Sequence, residues 1–403
     1  MPRGPSVVYL LPDAVGGVAS VISNLLRYRQ PGDLEHHVVL TRDLSQSDCP
    51  LLENMACDSQ RRVVFEGLID NREKVLRRVR DAVPAGEGAA VTNDWLSLAA
   101  LARSDVGRTL FHVVHNDADH CYEMARQHER VVDGFVAVSR LICDKLQQLL
   151  PHRSDTILHL PFGVLVPPTP RRSGHGPIRL LFVARLIREK GIYELPRIDE
   201  ALLTRGVRAR WTIVGRGPAE DELQGTWQKA NVCWKGALPN HDVLGLYQEH
   251  DVLVLPTTYQ EGLPVSLLEA MAAGVVPVVS DLPGGVQEVV RHRVSGYLHP
   301  ASDTAGFAAS IADLHHDPAR LDTMSAAARR IVQERFDIEK RASDYQGLFV
   351  RWRELRRPRP RRLSVSYGSR LDKIWIPNWL VRTVRSARRM AVPAANAIRG
   401  ATH

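Results

Sequence analysis

Cysteine is scarce in this chain and unpatterned. The 403 residues hold five, Cys49, Cys57, Cys121, Cys143 and Cys233. No two form a C-x-x-C pair and the count is odd. That argues against a disulfide framework or a cysteine-built zinc site, and for a reducing cytosol. Cys121 and Cys143 fall in helix-like segments and read as buried small hydrophobes. Long apolar runs are also missing. None reaches the roughly 20 residues of a membrane-spanning helix. The opening MPRGPSVVYLLPDAVGG has one arginine and a very short apolar run, which suits a first β-strand better than a signal peptide. The body of the protein also lacks an excess of basic charge. The net charge is +8, but the residues from Arg356 onward carry twelve Lys plus Arg and one acid, leaving −3 for the other 355. The basic balance belongs to a tail, so nucleic-acid binding by the whole chain loses its main support.

What the sequence does hold is alternation. Short β-branched runs are expected as strands at 6–12, 36–42, 62–67, 89–93, 108–114, 134–139 and 156–161, with helix-like stretches between them. Near-continuous apolar strands separated by helices predict a parallel sheet covered on both faces. VPPTPRRSGHGP at 166–177 is rich in Pro and Gly and reads as a linker. The alternation then restarts, with strands expected at 178–184, 210–215, 231–236, 251–256, 275–280 and 296–300. The expected fold class is α/β, two doubly wound Rossmann-like domains facing across a cleft. Residues 1–165 form the first domain, 166–177 the linker, 178–355 the second domain and 356–403 a basic tail. Ligands of open parallel sheets bind at the carboxyl ends of the strands.

Several polar residues follow those strand ends in the second domain. Arg185 and Lys190-Gly191 come after IRLLFVA. A guanidinium fork, an ammonium and the free N–H groups of a helix start suit a diphosphate. Gly215 and Gly217 follow RWTIV and allow close backbone approach. After DVLVLP comes YQEGLPVSLLEAMAAG, where Glu261 and Glu269 stand eight residues apart around Gly262 and Pro264. Pro264 suits the first position of a helix. Glu261 is then in the preceding loop and Glu269 on the second turn, both able to accept hydroxyls of one ligand.

In order, VARLIREKG, WTIVGRGP, VCWKGALPNHDVLGLYQEHDVLVLPT, YQEGLPVSLLEAMAAGVVPVVSDLPGGVQEVV and SGYLHP span about 178–300. Together they resemble the donor domain of the retaining GT-B glycosyltransferases of family GT4. The E-x7-E motif with EGLP and EAMAAG is specific in that context. The first domain is similar more loosely, through Gly16-Gly17-Val18, FHVVH and FVAVS. The resemblance implies a glycosyltransferase of the retaining hexosyl or related type, acting in cell-surface glycan or glycolipid synthesis. The donor is a UDP- or GDP-sugar, used as co-substrate with no cofactor or metal. The acceptor is a glycan, a lipid-linked glycan or a small molecule.

By position, the resemblance assigns Arg185 and Lys190 to the donor diphosphate, Glu269 to the ribose diol and Glu261 to the transferred sugar. Gly262, Leu263, Pro264 and Val265 line the sugar and phosphate pocket. Gly215, Gly217 and the stretch from Lys235 to Leu238 lie near the nucleobase. Gly16 and Gly17 approach from the facing domain, and His115 sits at the reacting sugar. His115, Glu261, Lys190 and Arg185 form the catalytic set. One departure stands out: the family's P-N-G-V-D reads Pro161-Phe162-Gly163-Val164-Leu165 here, without its carboxylate.

Asp117-Ala118-Asp119 could be a metal-holding D-x-D, but Arg185 and Lys190 already answer the diphosphate charge. Asn116 and Asp117 read better as acceptor-side residues. Asp94 follows a strand end, either as an acceptor contact or as a plain helix cap. His112, His115 and His120 are poorly spaced for one metal, and His112 reads as a core histidine. In the tail, Leu380, Val384, Ala387 and Ala391 repeat at helical spacing beside an arginine stripe of Arg382, Arg385 and Arg389, with Trp375 and Trp379 ahead. Residues 375–391 therefore suit an anionic membrane surface, and the expected location is the cytoplasm, at the inner face of its membrane. A helix docked on the first domain, or a solvated disordered tail, is the plainer reading of the same segment. The alternative activity is that of a GT-B-fold sugar-nucleotide epimerase.

Overall fold

The computed structural model describes residues 4–32, 34–46, 52–103, 105–171, 174, 176–359, 368–387 and 389. The first sheet is built from β1 (Ser6–Pro12), β2 (Glu35–Asp43), β3 (Ser59–Phe65), β4 (Gly88–Thr92), β5 (Thr109–Val114), β6 (Gly134–Ala137) and β7 (Ile157–His159). All pairings are parallel, in the order β3-β2-β1-β4-β5-β6-β7. The second sheet holds β8 (Ile178–Val183), β9 (Ala209–Val214), β10 (Val232–Gly236), β11 (Val252–Leu255), β12 (Val276–Ser280) and β13 (Tyr297–His299). It too is parallel, in the order β10-β9-β8-β11-β12-β13.

Every expected strand is present, because strands covered on both faces are written as apolar runs. All residues of β5 and β11 are buried. The largest displacement is at β3, which starts three residues before the expected 62–67. Ser59, Gln60 and Arg61 pair in register with His37, Val38 and Val39, but this is an edge strand and half-exposed. Polar edge residues carry no hydrophobic signal. In each sheet the strand order reverses once, between β1 and β4 and between β8 and β11. Those two reversals create the crevices where loops diverge.

The Pro-rich connection is tied down along its described part. Arg171 is buried and its guanidinium reaches Asp251 at 2.7 Å and Asp322 at 2.8 Å. Past Phe336 the chain leaves the second domain. Val164 N–H donates to the Phe336 carbonyl and Ile338 N–H to the Val164 carbonyl, at 2.9 and 3.1 Å. The apolar Phe162-Gly163-Val164 stretch thus forms the crossing point. Helix Ile338–Val350 then packs on the first domain, its Tyr345 donating to the Leu160 carbonyl at 2.9 Å. Its Phe349 meets Tyr9 and Phe111 edge-on at 5.9 and 5.6 Å. Packing therefore divides the chain differently from the expected boundary at 355, because Tyr345, Phe349 and Trp352 are an apolar face that the first sheet covers. Among the described residues, no helix is long and apolar enough to cross a membrane.

Candidate active site

The carboxyl ends of the two sheets meet. The turn after β11 places Gly262 against the first domain, where a Cβ would overlap the carbonyl oxygen of His115. Only glycine permits that approach. Gly17, after β1, faces Val265, whose Cγ2 would lie 3.1 Å from a Cβ on Gly17. Beside this seam, Arg140 N–H from the first domain donates to Glu288 Oε1 of the second at 2.6 Å. His115, Gly17, Gly262 and Val265 thus share one seam.

Lys190 closes a short helical turn, Arg188–Lys190, after β8. Thr257 Oγ1 and Thr258 N–H both donate to the Glu189 carbonyl at 2.9 Å, pinning that turn to the end of β11. The result brings Lys190 Nζ to 2.7 Å from Glu261 Oε1, with both side chains mostly shielded. The residues expected to hold phosphate and sugar thus lie in direct contact with each other. Arg185 is exposed. Tyr259 lies among both domains' groups: burial raises its phenol's pKa, with smaller upward pushes from Cys121 and Glu261 and a downward pull from Arg185.

Helix Val265–Ala272 begins one residue later than expected, with Pro264 ahead of it at φ −66° and ψ 119°. The extended ψ keeps Pro264 outside the helix, and the N–H groups of its first turn have no helical acceptor. Glu269, on the second turn, is 4% exposed. It accepts from Asn240 Nδ2 at 2.9 Å and Tyr247 Oη at 3.2 Å. Burial nevertheless pushes its carboxyl up to about 7. It borders a cavity of about 180 Å³ shared with Leu165, Leu244 and Tyr247. Asn240 and Tyr247 escaped the sequence reading, although seven residues on one helix put them on one face.

The nucleobase-side residues are more open. Gly215 has φ 139°, and a Cβ there would overlap the Ala184 carbonyl oxygen, so the turn after β9 requires glycine. Gly217 packs against Leu186 in the same way. Lys235 is exposed at the end of β10, and Leu238 is half-buried just beyond it. Gly16 precedes the helix Gly17–Arg27, and Leu263 is buried beside Gly262.

In the first domain, His115 Nε2 lies 2.9 Å from Asn93 Oδ1, while Asn93 Nδ2 donates to the Leu10 carbonyl at 3.0 Å. The amide orientation is thereby set, so Nε2 carries the proton and Nδ1 is left to accept one. Burial lowers the His115 pKa to about 4, which keeps the ring neutral. Asn93 is a third residue missed in the sequence. His112 is a core histidine, buried, with Nδ1 3.0 Å from Thr92 Oγ1.

Asp117 is buried, accepting from Tyr122 at 2.5 Å and from Lys145 at 2.8 Å on both oxygens. Asn116 is half-buried and Asp119 exposed. Among the described residues no group of three metal-binding side chains gathers. Asp94 caps helix Trp95–Ala102 through Oδ1, 2.8 Å from Ser97 N. Its Oδ2 is shut from solvent with no partner, and burial raises the carboxyl's pKa. Asp94 and half-exposed Trp95 line a cavity of about 420 Å³ at the carboxyl ends of β1, β2 and β3 and beyond β4.

Two parallel sheets meeting at their carboxyl ends define the GT-B class of fold. Sucrose-phosphate synthase from Thermosynechococcus elongatus shares it with a TM-score of 0.69 at 17% identity, over 87% of this chain and 100% of that one. HepE from Anabaena, solved with UDP and glucose, aligns with a TM-score of 0.67 at 17% identity, over 86% of this chain and 99% of that one. Residues 170–331 match the family of glycosyl transferases group 1. The amylovoran biosynthesis glycosyltransferase AmsK of Erwinia amylovora is 34% identical over 176 residues, 41% of this chain and 43% of AmsK. The chain thus matches under half the length of that relative.

Proposed function

We propose that this protein transfers a sugar from a nucleoside diphosphate sugar to a hydroxyl of an acceptor, with retention at the anomeric carbon. The observation that carries the reading is the Lys190–Glu261 pair, at 2.7 Å, with Glu261 on the turn that abuts His115. A bound diphosphate would draw Lys190 and Arg185 to itself and release Glu261 for sugar hydroxyls. His115 Nδ1 then accepts a further hydroxyl, and Glu269 takes the ribose diol. The anomeric carbon exchanges its bond to the leaving phosphate oxygen for one to the acceptor oxygen. The acceptor's proton passes to that phosphate oxygen on the same face. The protein contributes positioning and charge stabilisation.

UDP bound by HepE and the biosynthetic role of AmsK support a nucleotide donor and a polysaccharide, glycolipid or smaller glycan acceptor. The cavity beside Asp94 and Trp95 suits the acceptor, since it opens at strand ends of the first domain and an indole suits the apolar face of a sugar ring. Asp117 is already committed to Lys145 and Tyr122, which favours diphosphate neutralisation by Arg185 and Lys190 without a metal. We place the reaction in the cytoplasm, at the inner face of the membrane. Nothing in the relatives favours an epimerase. A thermal-shift screen of UDP- and GDP-sugars, then product analysis with and without EDTA, tests the reading. A raised melting temperature with one donor and EDTA-resistant transfer are expected. No shift with any donor, or transfer abolished by EDTA and restored by Mn²⁺, would reject it.

A further inference from the structure

The C-terminal segment docks on the first domain through residues 70–72. Of residues 375–391, the structure describes 375–387 and 389; Ala391 lies outside the described residues. Residues 378–387 are helical, and two arginines of the stripe, Arg382 and Arg385, reach acidic and carbonyl groups of the body. Arg382 Nε donates to Asp70 Oδ1 at 2.7 Å, and Arg385 reaches Asp372 at 2.6 Å and the Asp70 carbonyl at 2.5 Å. Asn71 N–H donates to Asn378 Oδ1 at 2.7 Å, and its Nδ2 donates to the carbonyls of Lys373 and Ile376 at 2.9 and 3.2 Å. Arg72 N–H donates to Asp372 Oδ1 at 2.7 Å. Ile376 and Val381 are buried by this docking.

The outward face is apolar. Trp375 is 77% exposed and Trp379 68%, with Ile374 at 48% and Leu380 at 39%. Four large apolar side chains exposed within seven residues of a well-anchored segment need an occupant. Arg370 and Lys373, just ahead of them in the chain, are exposed as well. Exposed indoles with exposed cations beside them in the chain fit the headgroup boundary of an anionic bilayer, where the ring is half-immersed and the N–H stays wet.

The anchoring loop is also the cavity wall. Gly67, Leu68, Asp70 and Arg72 line the cavity of about 420 Å³, and the Arg72 guanidinium lies 5.3 Å over the Trp95 ring. We infer that the Ile374–Leu380 surface seats the protein in an anionic lipid interface. The cavity mouth is thereby held at the headgroup layer, and the acceptor taken there is a lipid-linked glycan. This rests on the acceptor reading of that cavity.

The full-length chain is sedimented with vesicles of phosphatidylglycerol and phosphatidylcholine, and with phosphatidylcholine alone. Binding is expected only to the anionic vesicles. It should fall about tenfold or more in the double variant Trp375→Ser, Trp379→Ser, and become less anion-selective in Arg370→Glu, Lys373→Glu. Melting temperature without ligand and the shift given by UDP should match the wild type in both variants, so failure of the donor site is read separately. Wild-type protein that ignores anionic vesicles, or a tryptophan double variant that binds them undiminished, would overturn the inference. So would a wild-type dimer that this double variant converts to monomer in sedimentation velocity, since the patch would then seat a second copy.

Discussion

Glu269 is a carboxylate that burial has carried from 4.5 to about 7, against two hydrogen bonds that favour its charge. Between those values the folded protein keeps a proton that the unfolded chain releases. The contribution to stability is therefore full at low pH and is lost as pH rises through about 7, a difference of about 3 kcal/mol. Glu269→Gln should melt higher than the wild type at pH 8, with the difference gone near pH 5; equal melting at pH 8 would refute the buried-charge reading. A charged carboxylate is also the better acceptor for a ribose diol, so nucleotide affinity should rise more from pH 6 to 8 in the wild type than in Glu269→Gln. Lys190 has a different role. Lys190→Ala should lower kcat about tenfold or more, because it removes charge placed where the leaving diphosphate develops it. Full turnover would reject that role, and a melting curve reports separately on the unpaired Glu261.

At the scale of elements, the helix Asn240–Tyr247 acts as the floor under Glu269. Tyr247 is fully buried and its phenol is pushed well above its ordinary range by burial and by Glu269. It therefore stays a donor. Tyr247→Phe removes one of two hydrogen bonds to the carboxylate, so the pH midpoint for nucleotide binding should move upward. A binding-against-pH series checks it, and an unmoved midpoint would show that Tyr247 does not tune Glu269. The turn after β8 belongs to the same scale. Two threonines fix where Lys190 stands, and both come from the end of β11 rather than from the turn itself.

At the scale of the molecule, the helix Ile338–Val350 fastens the end of the chain to the first domain. Phe349 is 1% exposed between Tyr9 and Phe111, whereas its neighbour Val350 is 58% exposed. Phe349→Ala should cost about 3–5 kcal/mol of stability through the cavity it leaves. Val350→Ala should be nearly neutral, and denaturant unfolding of the two compares them directly. Equal midpoints would mean that the crossing helix contributes little to the fold.

By itself the sequence determined the thirteen strands, the two sheets and the strand ends that carry the candidate site. Parallel strands buried on both faces must be apolar runs, and their turns must hold residues such as Gly215 and Gly262 where backbone meets backbone. Local spacing also put Glu261 in a loop and Glu269 on a helix. The tertiary structure alone decided the partners: Lys190 with Glu261, Asn240 and Tyr247 beneath Glu269, and Asn93 behind His115. It also decided that helix 338–350 belongs with the first sheet, and that Arg382 and Arg385 turn inward while Trp375 and Trp379 turn out. Periodicity states which side chains share a face of one element. Which other face covers it depends on contacts between residues up to about three hundred positions apart, such as Asn71 with Asn378.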